Sequence, residues 1–304
     1  MPDIPTAGAV RSGEEAALSA LLAGHPATHR LATGVLTPLH GGLSNLAWRL
    51  DLAGEAWFVR RGRPGADRLG VDRASECTLL RVVSAAGLAP GLLACEPTSG
   101  LLVTRFIEGA TWRAEDVLVD ENLGRVATQL RRLHALPIPA GVQEVRYSVQ
   151  ARRLAAGLPA PTQDEAILHE RAARAFALLD GRRYAPALCH HDLHHLNLLD
   201  DGDRLWLVDW EYGGRGDPLL DLAGFLALHQ LGPEPAGAFL EAYGRPGPDE
   251  LELLDVARWA FDYVQWLWYR RRFEGAATGA HERERGLARR LLRCDNPQIA
   301  RDQG

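Results

Sequence analysis

The sequence predicts an α+β protein of two lobes, a small β-rich lobe over residues 1–108 and a larger helical lobe over 109–304. Three observations carry this. Between Leu36 and Arg105, short apolar runs alternate with glycine-rich breaks, the pattern of strands joined by turns. From Thr111 onward, apolar residues recur at spacings of three and four, the period of a helix that buries one face. Within that helical part, one polar loop (190–197) sits between apolar runs and leads to the strand-like run Leu205 to Val208.

Composition narrows the class. Hydrophobic residues make up 46% and charged residues 24% of the 304, an ordinary balance for a globular protein. A net charge of −5 without a basic run argues against a nucleic-acid partner. No apolar stretch approaches the roughly 20 residues of a membrane span, and the start Met-Pro-Asp-Ile-Pro-Thr lacks the basic and apolar regions of a signal peptide. Cys77, Cys95, Cys189 and Cys294 form no Cys-x-x-Cys pair, so reduced thiols and a cytoplasmic location are expected. All 34 basic residues other than histidine are arginine. Any cation placed on a phosphate is therefore an arginine.

Taken in order, Ser12-x-x-Glu15 reads as a capping box opening a helix from Glu14 to Leu22, stopped by Gly24. Strand-like runs flank Gly41-Gly42-Leu-Ser44-Asn45, where paired glycines let backbone N–H groups approach a phosphate and Ser44 and Asn45 add hydrogen bonds. A plain hairpin turn is the competing reading. Trp57 to Arg61 is a strand, and alternation sends Arg60 and Arg61 to opposite faces. Asp72 to Ala86 reads as a helix closed by Gly87. Leu88 to Glu96 and Gly100 to Gly109 supply the last strands, the latter running into a crossing segment from Thr104. Helices follow over 122–136, 152–158 and 165–179, then the polar loop, a turn at 213–218 and a helix over 219–229.

The loop and its strand carry the chemistry. His190-x-Asp192 sets a carboxylate on the loop, Asn197 follows, and the strand delivers Asp209. One carboxylate to accept a proton, plus an amide and a second carboxylate to hold Mg²⁺, is the set that phosphoryl transfer uses. Four histidines (His190, His191, His194, His195) also suggest zinc, but no His-Glu-x-x-His pattern or cysteine pair accompanies them.

This pair of motifs, His-x-Asp-(four residues)-Asn and Asp-Trp-Glu, resembles the catalytic centre of the protein-kinase-like small-molecule kinases: choline, ethanolamine, thiamine and aminoglycoside kinases. The resemblance spans Leu36 to Phe273 and implies a bilobal protein-kinase-like fold that uses ATP and Mg²⁺. It implies Asp192 as the base, with His190 and Asp221 holding the loop, and Asn197 and Asp209 as metal ligands. Arg60 becomes the phosphate cation, fixed by Glu76, and Gly41, Gly42, Ser44 and Asn45 form the phosphate loop. Thr104 and Phe106 belong to the segment that meets adenine. Glu211, Trp259, Asp262, Tyr263 and Trp266 are expected at the acceptor, as an aromatic cage for a cation. A helix stripe of this kind is equally the mark of a core. The implied function is phosphorylation of a small cationic alcohol, with thiamine or choline leading. The alternatives are an aminoglycoside phosphotransferase and a non-catalytic pseudokinase. A small-molecule acceptor and a monomer or homodimer complete the expectation.

Overall fold

The computed structural model describes residues 7–39, 45–63, 65–274 and 280–300. Helix α1 (Ala7–Gly24) leads. It begins ahead of Ser12, so the serine–glutamate pair lies inside it and marks no start. Alanine favours helix strongly and no proline interrupts 7–24, which lets the helix run back. The strands β1 (Val35–Leu39), β2 (Asn45–Leu52), β3 (Glu55–Gly62), β4 (Leu92–Glu96) and β5 (Leu101–Arg105) then form one antiparallel sheet in the order β1-β2-β3-β5-β4. Ala53 and Gly54, both at positive φ (51° and 81°), make the tight turn joining β2 to β3, a geometry that matches strand twist.

One face of this sheet packs on α1 through Leu18, Leu22, Trp48, Leu50, Trp57 and Val59. The other carries α2 (Arg73–Ala85), capped by the Asp72 side chain, which accepts from the N–H groups of Ala74 and Ser75. Leu79, Leu80 and Val83 of α2 belong to a second core that continues into the helical lobe. The Leu207 N–H also donates to Leu88 O at 2.9 Å.

Cys77 on α2 and Cys95 on β4 form a disulfide, which corrects the expectation of four reduced thiols. Packing of α2 on β4 brings together two residues whose spacing in the chain gives no hint of pairing. Closing a loop of this length stabilises by about 3 kcal/mol in the chain-entropy account. Cys95→Ser should therefore lower Tm without reductant and match the wild type in excess dithiothreitol, as thermal melts would show.

The crossing segment ends in β6 (Ala110–Thr111), followed by α3 (Asp120–His134), α4 (Tyr147–Ala155) and α5 (Gln163–Gly181). Then come β7 (Ala187–Cys189), β8 (Leu198–Asp200), β9 (Leu205–Leu207) and β10 (Gly214–Gly216). The helices α6 (Pro218–Leu228), α7 (Pro233–Tyr243), α8 (Pro248–Arg272), α9 (Ala280–Leu292) and α10 (Pro297–Ala300) complete the chain. β10 replaces the turn expected at 213–218 and pairs antiparallel with β7. Its glycines read as turn formers, but they serve close packing: a Cβ on Gly214 would lie 2.5 Å from Val145. β6 pairs with β8 and β8 with β9, so the crossing segment docks on the hairpin that follows the polar loop 190–197. The result is the two-lobed protein-kinase-like architecture. Among the described residues, no helix is long and apolar enough to cross a membrane.

Candidate active site

The loop after β7 is held from beneath by one carboxylate. Asp221, in the first turn of α6, accepts from the N–H groups of His190 (2.8 Å) and His191 (2.6 Å) and faces His134 Nε2 at 3.1 Å. His190 locks the loop from inside. Its Nδ1 accepts from the Asp192 N–H at 3.3 Å, which leaves Nε2 to donate to Val208 O at 3.0 Å. Burial lowers the His190 pKa to about 4, so the ring is neutral and serves as a brace. Burial by itself would raise the Asp221 pKa, but the His134 hydrogen bond and the backbone donors outweigh it and hold the carboxyl well below its ordinary range. A depressed carboxylate contributes stability that is complete above its unfolded pKa of about 3.9 and is lost as pH falls below that. Asp221→Asn should thus flatten the acid limb of the stability–pH curve, measured by urea melts from pH 6 downward.

Asp192 and Asn197 face each other across the loop. Asn197 Nδ2 donates to Asp192 O at 2.8 Å and lies 3.4 Å from Asp192 Oδ2. With the amide nitrogen committed, the Asn197 oxygen remains as the ligand atom. The Val208 N–H donates to Asn197 O at 3.0 Å, tying the strand that delivers Asp209 to the loop that carries Asn197. Asp209 itself has φ +62°, in the left-handed region that residues other than glycine seldom occupy. Burial, then the neighbouring Glu211 charge, pushes its pKa well above the usual carboxylate range. Burial also raises Asp192.

Arg60 extends from β3 to meet these groups. Its guanidinium grips Glu76 of α2 in a two-pronged contact, Nη1 to Oε1 at 2.6 Å and Nη2 to Oε2 at 2.8 Å. Nη1 also lies 3.7 Å from Asp209 Oδ1. Arg60 is 3% exposed and Glu76 1%, so this is a fully desolvated pair. Burial opposes both charges, yet each partner outweighs it: the Arg60 pKa is raised and that of Glu76 lowered.

The charges test the fit of a divalent cation. Glu76, Asp209 and Glu211 face two guanidinium groups, Arg60 and Arg73, and Asp192 adds a fourth carboxylate with His194 Nε2 at 3.7 Å. Two carboxylates are left uncompensated, and these are oxygen donors beside an amide oxygen, the donor set of Mg²⁺. The residues fit the ion. Asp209→Asn should raise the Mg²⁺ concentration needed for half-maximal activity, since a hard anionic ligand is lost; an unchanged titration would place the metal elsewhere.

Several expected residues stand differently. Gly41, Gly42 and Ser44 lie outside the described residues. Asn45 opens β2 and reaches across the cleft, donating to Glu211 Oε2 at 2.9 Å. Glu211, expected at the acceptor, is instead committed to the β-rich lobe. It is 3% exposed and held by Asn45 and, at 3.2 Å, by Arg73. The Phe106 N–H donates to Ala56 O at 3.0 Å, so of its backbone groups only the carbonyl can meet adenine. The Thr104 side chain is buried, with its hydroxyl directed at Arg105 O.

The stripe Trp259, Tyr263, Trp266 is core. Trp259 Nε1 donates to Leu291 O of α9 and Tyr263 pairs with His169 of α5. Trp266 is fully buried, and Asp262 is clamped by Arg290. The aromatic corner near the loop lies further along α8 and went unread in the sequence. Trp268 Nε1 donates to Tyr212 Oη at 2.7 Å, and Trp268, Tyr269 and Phe273 pack together, with Trp268 perpendicular to the other two rings. Burial raises the Tyr212 pKa, with Glu211 and Asp192 adding to the shift, which places this phenol in the field of those two carboxylates. Both faces of α8 carry aromatics, so periodicity alone could not separate them. The one usable signal was adjacency of Tyr212 to Glu211.

A two-lobed fold, an acid–amide pair on a braced loop and a buried arginine–glutamate pair opposite a second acid define a kinase-like phosphotransferase. The chain belongs to the phosphotransferase enzyme family, whose model matches residues 35–254. Its sequence is similar to Protein LicA of Haemophilus influenzae, 28% identical over 211 residues, covering 67% of this chain and 61% of that protein. The chain thus spans about three fifths of that relative's length. Its fold is similar to a choline/ethanolamine kinase family protein from Mesorhizobium loti (24% identity, TM-score 0.72, 93% of this chain and 98% of that one). It is also similar to the choline kinase LicA from Streptococcus pneumoniae (19% identity, TM-score 0.73, 85% and 92%).

Proposed function

We propose that the protein is an ATP-dependent kinase that phosphorylates the hydroxyl of a small cationic alcohol of the choline type. The observation that carries this reading is the meeting of Asp192, Asn197 and Asp209 opposite the Arg60–Glu76 pair. Asp192 accepts the proton of the acceptor hydroxyl as the hydroxyl oxygen bonds the γ-phosphorus and the bond to the β–γ bridging oxygen breaks, releasing ADP; the raised Asp192 pKa favours the proton transfer. Arg60, aimed by Glu76, binds the phosphates and neutralises charge on the transferring group. Asn197 and Asp209 would hold Mg²⁺, which would supply further neutralisation of phosphate charge. Residues 1–108 serve as the nucleotide lobe, and a LicA structure in complex with AMP shares the fold (TM-score 0.75).

The Tyr212–Trp268–Tyr269–Phe273 corner supports a cationic acceptor. Aromatic faces attract a quaternary or protonated amine by about 0.5–2 kcal/mol, without requiring a hydrogen bond. The likeness in fold to a choline kinase and to a choline/ethanolamine kinase family protein favours choline over thiamine. An ATP-consumption screen with choline, ethanolamine, thiamine and kanamycin decides the acceptor. Turnover with choline is expected; turnover with kanamycin alone would overturn the reading. Trp268→Ala should raise KM for choline about 10-fold, as loss of one cation–π face implies, and leave KM for ATP unchanged.

A further inference from the structure

Arg73 is unexplained by the helix it begins. It is the first residue of α2, where the helix dipole disfavours a cation. Its partner Glu76 lies three residues on, with the arginine N-terminal, the poorer order for such a pair. Helix energetics therefore give no reason for an arginine here. Its contacts do. Nη1 donates to Glu76 Oε2 at 2.7 Å, and Nη2 donates to Asn45 Oδ1 at 2.8 Å. Nη2 also lies 3.2 Å from Glu211 Oε2, the same oxygen that accepts from Asn45 Nδ2 at 2.9 Å. The side chain is only 13% exposed.

We propose that Arg73 is a positioning residue for phosphoryl transfer, a latch that joins three segments of the nucleotide cleft across the two lobes. Asn45 is the first residue of β2, Glu76 sets the Arg60 fork, and Glu211 lies two residues beyond Asp209. A planar guanidinium meets three acceptors at once, a task that one ammonium cannot reproduce. By holding Glu211 from the β-rich side, Arg73 keeps the Asp209 segment facing Arg60. By sharing Glu76, it keeps that carboxylate ionised and seated, so the fork of Arg60 stays aimed. Arg73 acts not on phosphate or acceptor but through Asn45, Glu76 and Glu211.

The inference rests on the kinase reading, so its test keeps the two apart. Wild-type turnover with the amino alcohols tests the kinase, and ADP binding by calorimetry reads the latch without any acceptor. Arg73→Met should weaken ADP binding and lower kcat/KM for ATP by about 10- to 100-fold, the loss expected of one charge-assisted contact in a buried site. Thermal unfolding should stay cooperative with a lowered Tm, because buried Glu211 loses the cation beside it, and Arg73→Lys should recover part of both losses. Combined with Glu211→Gln, the two losses should fail to multiply, because both variants break one latch. Wild-type ADP affinity and kcat/KM in Arg73→Met would overturn the proposal. So would losses that multiply in the double variant, or a loss matched by collapse of the fold in both the methionine and lysine variants.

Discussion

Asp192→Ala should leave nucleotide binding almost intact and remove most turnover, by roughly 10²- to 10⁴-fold in kcat, the usual worth of positioned proton acceptance. The geometry limits collateral damage. Asp192 engages Asn197 through its backbone carbonyl at 2.8 Å, a contact that alanine keeps, while its carboxylate is more distant at 3.4 Å. The loop is shaped by Asp221 and His190, neither of which needs the Asp192 side chain. Burial disfavours the Asp192 charge, so removing it costs little stability and can add some. Steady-state kinetics beside ADP calorimetry separates the outcomes. Full kcat in the alanine variant would mean that another group takes the proton.

Arg60→Ala should be the more damaging change to the protein as a whole. It removes the cation opposite Asp209 and leaves Glu76, 1% exposed, with Arg73 as its remaining charged partner. Breaking a buried pair by deleting one member destabilises by about 3–5 kcal/mol, because the other charge stays behind. KM for ATP should rise and kcat fall together, since a phosphate cation acts in ground and transition states alike. Arg60→Lys should restore only part, because one ammonium cannot reach both Glu76 oxygens at 2.6 and 2.8 Å and still face Asp209. Arg61, half-buried on the other face of β3, is the control, and Arg61→Ala should stay near wild type. If Arg61→Ala were crippled and Arg60→Ala were not, the phosphate cation would be misassigned.

The loop proposed as catalytic could be singled out in the sequence because phosphoryl transfer needs particular atoms at short range, and Asp192, Asn197 and Asp209 fall within one short stretch of chain. Alternation along β3 likewise separated Arg60 from Arg61 without reference to tertiary structure. Contacts made over long separations left no such trace. Asn45 meets Glu211, and Cys77 meets Cys95, only because sheet and helix bring them together. The aromatics of α8 misled for a different reason. Trp259, Tyr263 and Trp266 keep perfect helical spacing because they line a core, whereas Trp268, nearer the loop, sits off that stripe. The glycines at 213–216 misled because close packing and turning call for the same residue.

The hydrogen bond from Val208 to Asn197 has a consequence for chain length. It fastens the segments of Asn197 and Asp209, the proposed metal ligands, at the base of the β8–β9 hairpin, while the tip, residues 201–204, turns away on its own bonds, including Asp201 Oδ1 accepting from Asp203 and Arg204. Distance along the chain between Asn197 and Asp209 is therefore decoupled from their distance in space. Residues inserted at the tip would lengthen the arm without moving the hand, so relatives can differ in this interval and still present the same ligand pair. The same tip is a natural place to graft a reporter peptide, whereas the crossing segment is not. There a Cβ on Gly109 would fall 2.3 Å from Asp200 O, and even one methyl group has no room.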